Sequence, residues 1–187
     1  DNIMTYAIDI SGLKVSIGTT PSDHSVSGFL KSLPVGYSDF TIESYVFLRG
    51  KKNVNLTCSL AGLLLADGTT ATSKIFSYSL ASGYNIANGI YAHNWDNYNT
   101  PALSNPSVPI MNVNNDTLGV FLRIRKNGTT YEFDYSTDGK GWHFIYSINT
   151  FYFTPTHCGL MFEHMFSTGT EQSGGFSFFR YTDENVE

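Results

Sequence analysis

"TLGVFLRIRKNGTTYEFDYS", residues 117–136, decides the fold. Two alternating runs flank Asn127-Gly128, a pair favoured in the two-residue turns of β-hairpins. Pairing outward from that turn sets Arg125 opposite Thr130, Ile124 opposite Tyr131 and Arg123 opposite Glu132. Leu122 then faces Phe133, Phe121 faces Asp134 and Val120 faces Tyr135. One face of the hairpin becomes Val120, Leu122, Ile124, Tyr131, Phe133 and Tyr135, a core face. The other carries Phe121, Arg123, Arg125, Glu132 and Asp134. Opposite charges fall across from each other on that face, as cross-strand pairing prefers.

Strand and turn signals continue on both sides. Downstream, "STDGKG" (136–141) turns the chain into "WHFIYSI" (142–148), followed by "THCGLMFEHMF" (156–166) and a last strand, "GFSFFRYT" (175–182). Upstream, "MTYAIDI" and "LKVSIG" alternate about Ser11-Gly12. "DFTIESYVFLRG" (39–50) puts Ile42, Ser44, Val46 and Leu48 on one face. "NVNLTCSLAGLLLAD" (53–67) begins by alternating and then runs apolar, as a strand covered on both faces does, and ends at Asp67-Gly68. "KIFSYSL" (74–80) follows. From Gly83 to Asn115 the chain turns rich in Asn, Pro and Ser. Only "GIYA" (89–92) reads as a strand there, because Pro101, Pro106 and Pro109 bar a central one. Short strands at this spacing predict an all-β, antiparallel two-sheet sandwich, with residues 1–187 as one domain. Residues 1–35 are an N-terminal arm or extra strands.

Composition agrees. Aromatics are 15% of the 187 residues and charged residues only 14%, the profile of strands rather than of disorder or coiled coil. The net charge of −5, with no basic cluster beyond Arg123–Lys126 and Lys51-Lys52, excludes an electrostatic footprint for nucleic acid. No apolar run reaches the ~18 residues of a helical membrane span. The chain begins at Asp1 without Met, which suggests an excised or processed piece, and it shows no signal-peptide pattern. Cys58 and Cys158 read as buried free thiols, with a disulfide between them left open. Sequons at Asn55, Asn115 and Asn127 are no more than chance expects in so Asn-rich a chain.

Above this pattern stands a resemblance. "FLRIRKNGTTYEFDYSTDGKGWHFIYSINTFYFTPTHCGLMFEH" resembles the C-terminal half of concanavalin A-like (laminin-G-like) jelly-roll domains. It is closest to the version found in bacteriophage virion proteins, especially tail and fibre components. The resemblance covers about residues 86–182, and "IYAHNWDNYNT" resembles the strand and Asn-rich loop that precede the hairpin in such domains. It implies a jelly roll at a virion surface or in an extracellular setting, with a cell-surface glycan bound for host attachment and other virion proteins as partners. The alternatives are a structural module of a virion that binds no sugar, and a carbohydrate-binding module or degenerate relative of a glycoside hydrolase. Oligomerisation is compatible with that setting.

Some members of the fold are glycoside hydrolases with a Glu-x-Asp-x-Glu strand. Here the match is Glu132-Phe133-Asp134-Tyr135-Ser136, whose third acidic position is Ser. Retaining hydrolysis needs two carboxyls flanking the bond about 5–5.5 Å apart. No catalytic residue is therefore expected, and Glu132 and Asp134 read as surface charge, Glu132 paired with Arg123. "STDGKGW" misses the sialidase Asp-box, because Lys140 stands where that motif has Gly; Asp138-Gly139 then only forms a turn.

"HNWDNYNT" (93–100) is the strongest binding signal. Sugars are held by an aromatic face against the ring, with polar groups on the hydroxyls. Tyr91, His93, Asn94, Trp95, Asp96, Asn97, Tyr98 and Asn99 are the candidate ligand-binding residues, on a loop carried by a rigid sandwich. The other reading tucks Trp95 and Tyr98 inward as anchors and leaves the Asn residues to make local turns. No metal site or cofactor is expected; a lectin-type calcium would sit near Asp96 or Asp116.

Overall fold

The computed structural model describes residues 4–9, 12–17, 25–36, 39–49, 58–70, 72–83, 89–97, 100–109, 117–149, 151–165 and 172–184. Among them the regular elements are all strands. These are β1 (Met4–Asp9), β2 (Gly12–Ile17), β3 (Ser25–Ser32), β4 (Phe40–Arg49), β5 (Cys58–Ala66), β6 (Ile75–Gly83) and β7 (Gly89–Asn97). The second half supplies β8 (Thr100–Pro109), β9 (Thr117–Asn127), β10 (Thr130–Ser136), β11 (His143–Ile148), β12 (His157–Met165), β13 (Gln172–Phe176) and β14 (Arg180–Asp183). They build two antiparallel sheets. One has eight strands in the order β1-β2-β13-β4-β9-β10-β11, with β14 also on β4; the other has six, β3-β12-β5-β6-β7-β8. The molecule is the jelly-roll sandwich that the pattern and the resemblance predict. Residues 1–35 supply β1 and β3, which are edge strands of the two sheets, and β2, which lies next to β1.

Alternation places the core between the sheets. Ile42, Ser44, Val46 and Leu48 of β4 are buried, as are Val120, Leu122, Ile124 and Phe133 of the hairpin. They meet Ala61, Leu63 and Leu65 of β5 and Phe76, Tyr78 and Leu80 of β6. The other face of β5, Leu60, Leu64 and Ala66, joins Val26, Ile75, Trp95 and Met161 in a second apolar cluster. Burial on both faces is why this strand reads as a continuous apolar run.

The hairpin register differs from the expected one by two residues, because the turn sits one residue further along. Asn127 pairs with Thr130, so Gly128 and Thr129 are the central turn residues, with Gly128 at φ 59°. The faces are unchanged but the partners are not. Glu132 lies opposite Arg125 rather than Arg123, and Asp134 opposite Arg123 rather than Phe121. The observed register joins charge to charge at both positions. Arg123 Nε lies 3.0 Å and Arg125 Nε 2.8 Å from Asp134 Oδ2, and Arg125 Nη2 lies 2.9 Å from Glu132 Oε2. Asp134 is a surface residue by pattern only: its side chain is 2% exposed, sealed under the two guanidiniums. Asp134→Ala strands both, and because each arginine keeps some contact with water the expected loss is about 2–3 kcal/mol, below the roughly 3–5 kcal/mol of a fully buried broken pair. Urea unfolding measures it, and a loss below ~0.5 kcal/mol would place the carboxylate among ordinary surface charges.

Two further expectations change. Residues 83–115 are not one loop: β7 extends to Asn97 and pairs with β8, which carries all three prolines. β8 is an edge strand, the one place in a sheet where proline costs no ladder bond on its open side. The last strand is two segments, because the chain leaves the ladder at 177–179, where Ser177 N still donates to Tyr45 O at 3.0 Å.

The cysteines do not pair. Cys158 lies opposite Leu65 and Cys58 opposite Met165, at the two ends of the β5–β12 pair. At about 3.3 Å per residue that is roughly 23 Å, far beyond disulfide reach. Cys158 is a buried free thiol, and burial pushes its pKa up to about 11, so it is not a nucleophile at neutral pH.

Candidate functional site

Pairing gathers one pole of the sandwich. β4 begins beside the end of β9, β10 begins beside the ends of β9 and β11, and β6 begins beside Trp95 near the end of β7. The connection from β11 to β12 crosses this pole and bridges the two sheets. Its Phe151 ring meets Tyr131 of β10 at 4.4 Å and Phe76 of β6 at 4.8 Å. A groove of about 470 Å3 opens here, with Tyr131, Phe151 and Phe153 as aromatic lining and Lys126, Asn149 and Thr154 as polar lining. Phe151 and Phe153 are half-buried and stacked, with centroids 5.6 Å apart and planes 30° apart. Thr130 Oγ1 donates to Asn149 Oδ1 at 3.2 Å and so holds one wall.

Tyr152 pins this connection in place. Its hydroxyl accepts from Trp95 N–H at 3.0 Å and can give its one proton to Ile75 O at 3.0 Å or to Trp95 O. The ring lies beneath Lys74 Nζ, 5.4 Å from the centroid. Burial pushes the phenol up to about 12, and the bond to Trp95 partly offsets that rise, so it stays protonated and able to donate in ordinary buffers. Tyr152→Phe keeps the ring and loses the bonds. It should cost about 1 kcal/mol of stability and speed hydrogen exchange across residues 149–156. Unchanged exchange there would show that the hydroxyl does not fix the groove.

Beside the groove lies a second pocket of about 270 Å3, lined by Asp39, Thr41, Arg125, Glu132 and Glu184. Lys126 lines both. The rim between them is bonded: Gly128 N donates to Asp39 Oδ1 at 2.6 Å, and Lys126 Nζ donates to Gly128 O at 2.7 Å.

The predicted ligand residues lie at or near this pole but do not form one platform. Residues 93–97 belong to β7 rather than to a loop. Tyr91, His93 and Trp95 share the outer face of the six-stranded sheet, while strand alternation sends Asn94 and Asp96 to the other side. Tyr91 and His93 stack at 5.6 Å, both half-buried. Trp95 is 1% exposed and its Nε1 donates to Ser77 Oγ at 3.0 Å. An indole so enclosed has no open face for a sugar, so Trp95 is an anchor, the second of the two readings. Asp96 is exposed and Asn97 half-buried; Tyr98 and Asn99 lie outside the described residues. No group of three His, Cys, Asp or Glu among the described residues could hold a metal ion, and Asp116 lies outside them.

The acidic pair of β10 is committed elsewhere: Asp134 to two arginines and Glu132 to Arg125. Asp138 builds its turn by accepting from Lys140 N and Gly141 N, each at 2.8 Å, bonds that hold its carboxyl below the usual carboxylate range. Trp142 is half-buried beneath Arg123, with the guanidinium 4.0 Å from the ring centroid.

The groove aromatics were missed in the sequence. Their signal is "FYF" (151–153), three consecutive aromatics in a connection just before Pro155. Alternation cannot assign such a run to a face.

No protein-family model matches the chain, and no characterised protein matches it in sequence. Solved structures do match its fold. The exoplasmic/lumenal domain of VIP36, in a Ca2+- and Man3GlcNAc-bound form, aligns with a TM-score of 0.62 at 10% identity, over 100% of this chain and 84% of that one. The CBM2 module of the evolved Dit protein of Lactobacillus casei BL23 phage J-1 gives 0.56 at 13% identity, over 97% and 76%. The carbohydrate-binding module CBM66 from Bacillus subtilis gives 0.54 at 14%, over 96% and 91%. At these identities the likeness is one of fold.

Proposed function

We infer that this chain is a non-catalytic carbohydrate-binding module whose site is the groove at the hairpin pole. The observation that carries the reading is the stacked Phe151–Phe153 pair beside Asn149 and Lys126 in an open groove of about 470 Å3. Aromatic rings offer the apolar surface that a pyranose face needs, and the amide and ammonium match its hydroxyls. The lectin and the two carbohydrate-binding modules of the same fold support the class. The non-catalytic part draws support from Glu132 and Asp134, both held in ion pairs.

On a particle, many weak sites would act together, which suits host attachment through a surface glycan. The virion setting draws on the resemblance of residues 86–182 and on the likeness to the phage J-1 module. A second reading is a structural module that joins virion subunits and binds no sugar. It is favoured by Phe144, 59% exposed on the edge strand β11.

A multivalent glycan array, run with and without calcium, separates the two. The attachment reading expects specific binding that Phe153→Ala weakens at least tenfold with the fold intact. A folded wild type that binds nothing would support the structural module.

A further inference from the structure

We propose that the site takes a glycan of at least two sugar units, the second seated in the charged pocket beside the groove and itself uncharged. The proposal rests on the reading of the groove as a glycan site and extends it to the class of ligand. The two cavities meet across Lys126, which lines both, and the bonded rim at Asp39 and Gly128 holds them in fixed relation. Their chemistries are complementary. The groove offers aromatic surface for a ring face. The pocket offers no aromatic ring but three carboxylates, those of Asp39, Glu132 and Glu184, with the hydroxyl of Thr41.

Carboxylates accept hydrogen bonds from sugar hydroxyls, and such charge-assisted bonds are the stronger kind. The pocket is also ordered in advance. Thr41 Oγ1 donates to Glu184 Oε1 at 2.7 Å, and Arg125 Nη2 lies 2.9 Å from Glu132 Oε2, so each contact engages one oxygen of its carboxylate. A site held ready loses less entropy on binding. Three acidic groups against Arg125 and Lys126, with Arg125 also bonded to Asp134, leave the lining net negative. A uronate or sialyl unit there meets like charge, whereas a neutral unit does not.

The test is a titration of manno-, xylo- and N-acetylchito-oligosaccharides of one to four units, with oligogalacturonates as the acidic series. It compares the wild type, a Thr41→Val/Glu184→Gln double variant and Phe153→Ala. In at least one neutral series, two or more units should bind about tenfold tighter than one, roughly what one charge-assisted bond supplies. The double variant should lose that gain and keep the single-unit affinity, and no acidic oligomer should show it. Equal affinity at every length, a gain that survives the double variant, or a gain in the acidic series would overturn the proposal. In each of those cases a weakened single-unit affinity in Phe153→Ala leaves the glycan reading standing. No binding to any series by the folded wild type would overturn both.

Discussion

Trp95→Ala lowers stability by about 3–5 kcal/mol, the range for emptying a buried aromatic site. The indole is 1% exposed, packs in the second apolar cluster and donates to Ser77 Oγ. Truncation leaves a cavity and strands the Ser77 hydroxyl, itself fully buried. For a chain of this size each kcal/mol moves Tm by roughly 2–4 °C, so a fall on the order of 10 °C is expected in calorimetry. Trp95→Phe, which keeps most of the volume, should lose about half as much. Loss of glycan binding in Trp95→Ala would therefore say nothing about the site unless the Phe variant, still folded, also lost it. A Trp95→Ala protein with unchanged Tm would contradict the burial.

Phe133→Ala should cost about as much or more, roughly 4–5 kcal/mol, because it removes contacts on both sides of the sandwich. Phe133 belongs to the eight-stranded sheet and stacks on Tyr146 of the same sheet at 4.5 Å and 14°. It also meets Phe76 and Tyr78 of the six-stranded sheet at 5.1 and 5.3 Å. Phe133→Leu refills much of the volume and should lose only about 1–2 kcal/mol. Guanidinium unfolding of the pair gives both values. Equal small losses in the two variants would mean that the sheets are held together elsewhere.

Most of the fold was legible because period-2 alternation needs no knowledge of neighbours. The core face of β4 and the two faces of the hairpin follow from it directly. Register was harder. Asn127-Gly128 marks a turn, but whether Asn127 ends the strand or begins the loop depends on the backbone at Gly128, and the two choices keep the same faces. Pairing Asp134 with both arginines discriminates between them, and that contact is visible only in three dimensions. Residues 93–97 look like a loop because their Asn and Asp residues have low strand propensity. They lie in a strand because Trp95 is fixed by Ser77 and by Tyr152, 57 residues further along. The groove was hidden for the same reason: Phe151 and Phe153 gain their meaning from Tyr131 and Phe76, which lie far from them in the chain.

The measurement that tests the central claim most directly is a set of aromatic 1H–13C spectra of the wild type, titrated with the tightest-binding oligosaccharide. The account predicts that the ring resonances of Phe151 and Phe153 shift together in step with saturation, while those of Tyr91 and His93 stay in place. Shifts confined to Tyr91 and His93, with the two phenylalanines silent, would contradict it and move the site to the outer face of the six-stranded sheet.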